Sequence, residues 1–197
     1  MATDGVDLKK RRMLTNVAAG MGVVGAGFVA VPFLASWAPS ERAKTAGAPV
    51  EVDISKLQDG AMMTVEWQGK PVWIVKRTAR NLEDLLTLND SLRDPNSENE
   101  QQPEYARNPD RSIKPEILVL VGICTHLGCS PTYTPDMSGA VLDADWKGGF
   151  FCPCHGSKFD MAGRVYQSVP APLNLQVPPH RYISDTTIVI GEDGGAV

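Results

Sequence analysis

"FCPCHGSKFD", Phe151 to Asp160, packs Cys152, Cys154 and His155 into four positions, and an upstream knot, "CTHLGC", runs from Cys124 to Cys129. Together they offer four cysteines and two histidines. A tetrahedral zinc site takes four ligands from such knots, so two groups are left over. Three uses of the six compete. Two disulfides would consume all four cysteines and leave His126 and His155 idle. A Cys2His2 zinc site would take Cys124, His126, Cys152 and His155. A [2Fe–2S] cluster would take the same four, one iron on two thiolates and the other on two imidazoles. In either metal reading Cys129 and Cys154 remain, one from each knot, free to join as a disulfide that staples the two loops.

The rest of the chain says where such a centre would work. It has 197 residues with ordinary apolar content, enough for one well-buried domain and an appendage. Charge is uneven. Residues 1–46 carry six Lys/Arg against three Asp/Glu, and the remainder thirteen against twenty. An acidic body excludes nucleic acid as a partner and suits a partner of positive charge. "KKRR" spans Lys9 to Arg12, and no charge follows until Glu41. That uncharged run exceeds the roughly 20 residues needed to cross a bilayer and is too long for the core of a cleaved signal. The basic flank sets the N-terminus in the cytoplasm, with Trp37 as an interfacial aromatic. Arg11–Arg12 before a Gly-rich stretch also resembles a twin-arginine export signal. "GMGVVGAG" follows no strand, so it is not a phosphate loop.

The domains read as a cytoplasmic, twin-arginine-like N-terminus (1–12), a transmembrane anchor helix (13–37), a flexible hinge (38–49) and an exported domain (50–197), with a cluster-binding subdomain at about 120–172. The domain is mainly β. "VEVDI", "AMMTVEW", a Gln68–Gly69 turn and "PVWIVKR" read as strands. "NLEDLLTLND" reads as the one helix, with Leu82, Leu85, Leu86 and Leu88 on one face and Glu83 and Asp84 in its first turn. Residues 91–115, polar and proline-bearing, read as a surface loop. "EILVLVG" reads as a buried strand running into Cys124, and "LNLQV", "RYIS" and "TIVIG" as short strands. His180 reads as a surface or hydrogen-bonded histidine rather than a ligand, and Trp67, Trp73 and Trp146 as packing residues.

"CTHLGC" with "CPCHGS" resembles the Rieske iron–sulfur signature in the form that carries an extra disulfide pair, that of the iron–sulfur subunits of ubiquinol–cytochrome c reductases. The anchor, the linker, "VPAP" at Val169 to Pro172 and the twenty-five residues between His126 and Cys152 fit the same resemblance. It implies a Rieske-like antiparallel β-sandwich on a single N-terminal transmembrane helix, holding one [2Fe–2S] cluster. Cys124 and Cys152 would bind the inner iron, His126 and His155 the outer iron through Nδ1, and Cys129–Cys154 would be the disulfide. Ser157 would donate to a bridging sulfide. The implied activity is quinol oxidation within a proton-translocating reductase. One electron passes from ubiquinol at a cytochrome b subunit to a c-type cytochrome subunit, with the proton accepted at His155 or His126. The setting would be a dimeric complex in the bacterial inner membrane, with the Rieske domain periplasmic. Two residues depart from the pattern. Phe159 stands where many members have a tyrosine donating to the Cys124 sulfur, and Val169 where many have a glycine. The alternatives are the small Rieske subunit of an exported arsenite oxidase and a membrane-tethered structural zinc module. Replacing two thiolates by neutral imidazoles removes negative charge and raises a cluster to roughly −150 to +300 mV, a range suited to oxidising a quinol.

Overall fold

A computed structural model describes residue 5 and residues 7–41, 43, 47–135 and 146–193. The chain divides into two compact units, Met1–Thr45 and Ala46–Val197. In the first, α1 spans Leu8–Ala35. It begins earlier than the expected anchor because Asp7 caps it, accepting from the Lys9 and Lys10 N–H groups at 3.0 and 3.2 Å. The basic run therefore lies inside the helix. Its apolar side chains are exposed all round, and it is long and apolar enough to cross a membrane.

The second unit holds three antiparallel three-stranded sheets. The first joins β1 (Val50–Asp53), β9 (Thr187–Ile190) and β8 (His180–Ser184) in that order. The second joins β2 (Met62–Trp67), β3 (Lys70–Lys76) and β4 (Ile117–Val121), and the third β5 (Thr132–Thr134), β6 (Gly149–Cys152) and β7 (Ser157–Phe159). The β2–β3 hairpin turns on Gln68 and Gly69, both at positive φ (53° and 71°), the pair that a two-residue turn of this twist needs.

The second sheet is covered on both faces. Side chains alternate across a strand. Val72 and Ile74 of β3, with Ile117 and Val119 of β4, enter one core with Val52, Ile188 and Ile190. Trp73 and Val75, with Leu118 and Leu120, enter the other with Phe150, Phe159, Cys124 and Cys152. That is why β4 reads as an unbroken apolar run: every residue in it is buried. The sandwich thus ends on the face that carries the two cysteine knots.

Three expectations need correction. The helix α2 covers Ala79–Leu85, and Thr78 caps it through a reciprocal hydrogen-bond pair with Asn81. The cap moves its start upstream, so Glu83 and Asp84 fall outside the first turn, and Leu86 points to solvent at 69% exposure while Leu85 and Leu88 are buried. Residues 91–115 are a packed segment rather than a surface loop. Leu92, Ser97, Ala106 and Arg111 are buried there. The Arg111 guanidinium donates to the carbonyls of Ala162 and Leu175 at 3.0 and 2.8 Å, so charged donors satisfy irregular backbone that no sheet pairs. Finally, "LNLQV" forms no strand. It is held by single bonds such as Val121 N–H to the Gln176 carbonyl at 2.8 Å.

Candidate redox centre

Two loops on the third sheet and the end of β4 converge. β4 leads through Gly122, where any side chain would overlap the Trp73 indole, into Cys124. There the chain turns back on itself: Cys124 N–H donates to the Cys129 carbonyl at 2.7 Å and Gly128 N–H to the Cys124 carbonyl at 3.1 Å. The second knot is the tip of the β6–β7 hairpin. Cys152 is the register partner of Ser157, and Gly156 N–H donates to the Cys152 carbonyl at 2.9 Å. Each loop thus closes a bond from a glycine to the cysteine four positions before it. Gly128 and Gly156 both sit in the left-handed region, at φ 84° and 74°.

The loops present matching donors. Cys124 and Cys152 are buried free thiols, at 2% and 1% exposure. Cys129 and Cys154 are joined as a disulfide with Cα atoms 6.6 Å apart. The sulfurs of Cys129, Cys152 and Cys154 lie within 4.8 Å of one another. Two of the three are bonded together, so this group is the staple beside Cys152 and not a three-thiolate site. The rings of His126 and His155 meet edge to face, centroids 4.7 Å apart and planes at 87°. His155 is exposed and His126 half-buried. Burial pushes the Cys124 thiol up, opposed by hydrogen bonds from the His126 N–H and the Ser157 hydroxyl.

A [2Fe–2S] group fits these residues. The Nδ1 of His126 is buried without a hydrogen-bond partner, a costly arrangement unless something binds it. Two buried thiols and two adjacent imidazoles supply the mixed donor set that such a cluster needs. His180 stands apart from them. It is buried, and its Nδ1 lies 2.9 Å from the Pro178 carbonyl.

Sequence reasoning named Ser157 but missed Thr125 and the backbone groups that tie "VPAP" and the adjoining Leu173 to the two knots. Thr125 Oγ donates to the Leu173 carbonyl at 2.6 Å, and Ala171 N–H donates to Ser157 Oγ at 3.0 Å. No local pattern signals either bond, since one partner in each is a backbone group far along the chain. Trp67, Trp73 and Trp146 are buried packing residues.

Residues 49–179 match the family described as the Rieske [2Fe-2S] domain, and residues 1–40 that described as "Ubiquitinol-cytochrome C reductase Fe-S subunit TAT signal". The ubiquinol–cytochrome c reductase iron–sulfur subunit of Allochromatium vinosum is 57% identical over 196 residues, covering 100% of this chain and 95% of that protein. Its counterpart in Bradyrhizobium diazoefficiens is 40% identical over 187 residues, covering 94% and 96%. A solved chain titled "Hyperthermophilic respiratory Complex III" aligns with 87% of this chain and 98% of its own at 26% identity, TM-score 0.48. A family match across residues 49–179, joined to relatives alike from end to end, means that the chain belongs to the Rieske [2Fe–2S] family, among the ubiquinol–cytochrome c reductase iron–sulfur subunits.

Proposed function

We propose that this chain is the electron-transfer subunit of a quinol–cytochrome c oxidoreductase. The observation that carries the reading is the unpartnered, buried Nδ1 of His126 beside His155 and two buried free thiols. In this reading Cys124 and Cys152 would hold the inner iron, and His126 and His155 would hold the outer iron through Nδ1. The bound cluster supplies a one-electron couple at a potential high enough to accept from a quinol. The protein's own part is to present and protect. The exposed ring of His155 offers its remaining nitrogen to the quinol hydroxyl and takes its proton. Half-buried His126 would share that role. Leu127, 72% exposed within the first knot, gives the tip an apolar edge toward the quinol. Ser157 would donate its hydroxyl to a bridging sulfide, and the disulfide holds both loops at one spacing.

The electron then passes from ubiquinol at a cytochrome b subunit to a c-type cytochrome subunit, within a dimeric, proton-translocating complex. α1 anchors the chain in a bacterial inner membrane, its N-terminus cytoplasmic and its Rieske domain periplasmic. Residues 1–12, 13–37, 38–49 and 50–197 serve as leader, anchor, hinge and head. Support comes from the apolar helix and the end-to-end likeness to reductase subunits.

A redox titration of the EPR signal in native membranes, with and without an inhibitor of the quinol site, tests this. A reducible signal that responds to the inhibitor and co-purifies with b- and c-type haems is expected. A colourless, EPR-silent protein holding zinc would sink the reading, and association with an arsenite-oxidising partner would redirect it.

A further inference from the structure

The segment following α2 reaches the centre by a route that the ligands themselves do not use. Arg93 N–H donates to the Val165 carbonyl at 2.9 Å and Gln167 N–H to the Ser91 carbonyl at 2.9 Å. Leu92 and Tyr166 form an antiparallel bridge between them. Residues 91–93 therefore lie as an outer rail along 165–167, just before the 169–172 loop. The rail grips that loop at both ends. At its start, an Arg93 guanidinium N–H donates to the Val169 carbonyl at 2.9 Å. Past its end, the amide of fully buried Asn174 acts as an inserted peptide unit, accepting from Val165 N–H at 2.8 Å and donating to the Asp94 carbonyl at 3.0 Å.

Between these grips lies Ala171, whose N–H points at Ser157 Oγ. A hydroxyl has one proton and two lone pairs. With a lone pair engaged by Ala171, and Ser157 fully buried, its proton has to find an acceptor away from the loop. Away from the loop, Ser157 faces its register partner Cys152 in the second knot, where a sulfide of the bound cluster would accept it. We propose that Arg93 is a positioning residue for the redox centre: by holding the Val169 carbonyl it seats the 169–172 loop, so that Ala171 N–H fixes Ser157 Oγ and commits the serine proton to the cluster side.

The relay rests on the proposed function, because its output is the stability of a reduced, more negative sulfur. Loosening the loop lets the serine hydroxyl rotate and share its proton with the loop side. The reduced state loses a donor and the midpoint potential falls. Arg93 is exposed, so replacing it leaves the core intact.

The test is a double-mutant cycle on the full chain in native membranes, read as the midpoint of the EPR signal. Arg93→Met keeps the stem and loses the donors. It should lower the midpoint, and Arg93→Lys should recover most of the loss. With Ser157→Ala already present, Arg93→Met should cause no further shift. Hydrogen exchange of the peptide covering 169–173 should quicken in Arg93→Met and stay slow in Arg93→Lys. A shift of equal size with and without Ser157 would mean that lost positive charge acts through space, and it overturns the relay. So does an unmoved midpoint beside a normal wild-type signal. A wild-type chain with no reducible signal removes the assigned centre itself, and the relay with it.

Discussion

The imidazole of His126 meets that of His155 edge to face at 4.7 Å, although the two come from different loops. Their spacing is set by the Cys129–Cys154 bond, by the glycine-closed turn in each knot, and by the segment at 169–173 that is tied to both.

The staple should therefore be measurable. It spans a sequence separation of 25, for which loop-closure entropy gives about 3–4 kcal/mol. Cys129→Ala and Cys154→Ala should each lower the thermal midpoint and reduce cluster content or potential, while iron binding persists. Wild-type values of both quantities in either variant would remove the staple's assigned role.

Phe159 carries the second prediction. It lies two residues beyond Ser157 on β7, so both side chains leave the same face of the strand. Phe159 is fully buried in the core that contains Cys124. A tyrosine hydroxyl there would add a donor to the cysteine sulfur and favour the reduced state. One such bond contributes about 1 kcal/mol, or roughly 40 mV for a one-electron couple at about 59 mV per tenfold. Phe159→Tyr should raise the midpoint by some tens of millivolts, and Ser157→Ala should lower it by at least as much. An unchanged or lower midpoint in a fully loaded Phe159→Tyr would show that residue 159 faces away from the centre.

His180 should make stability fall with acid. Burial pulls its pKa below the usual histidine value, and the hydrogen bond to the Pro178 carbonyl and the charge of Asp193 only partly oppose this. Above about pH 6.5 both folded and unfolded chains hold it neutral. Below that, the unfolded chain takes up a proton that the folded one refuses, so stability drops by about 1.4 kcal/mol per pH unit until the lowered folded value is reached. Thermal midpoints at pH 7.5 and 5.5 should separate more for the wild type than for His180→Gln. Equal separations would mean that His180 takes up its proton in the folded chain.

Gly149 opens β6 at φ 145°, and any side chain there would overlap the Phe159 carbonyl across the ladder. Gly149→Ala should cost at least about 2 kcal/mol and, by shifting β6 against β7, lower cluster occupancy as well. A variant with unaltered melting and iron content would contradict this register argument.

The proposed hinge supplies a kinetic test. Residues 38–49 span at most about 40 Å extended and about 18 Å as a helix, a difference that would let the head travel between donor and acceptor. Residue 46 lies outside the described residues. Replacing Ala46 and Gly47 with prolines should slow steady-state turnover and leave the EPR spectrum as it was. Full-speed turnover would count against a carrier role for this segment.

Much was legible in the sequence because it is local. The apolar runs of β3 and β4, the positive-φ pair Gln68–Gly69, the long uncharged run of α1 and the donor types in "CTHLGC" and "CPCHGS" each depend on neighbours within a few positions. Other features depended on tertiary structure. The start of α2 followed from a side-chain cap at Thr78, and the exposure of Leu86 from which face of a short helix the sheet happened to cover. Segment 91–115 looked like a solvated loop because its composition is polar. Its Arg111 is a buried donor to carbonyls more than fifty positions away, and the Asp94 carbonyl within it accepts from the buried amide of equally distant Asn174. Composition reports what a side chain prefers in water, and only the folded chain decides whether a distant backbone group can replace that water. The sequence by itself therefore determined the donor set and the membrane-length helix. The resemblance already implied the Cys129–Cys154 pair that the structure holds, but the tertiary structure decided how the segment at 169–173 comes to hold both knots, because that outcome turns on distances between residues that no local rule connects.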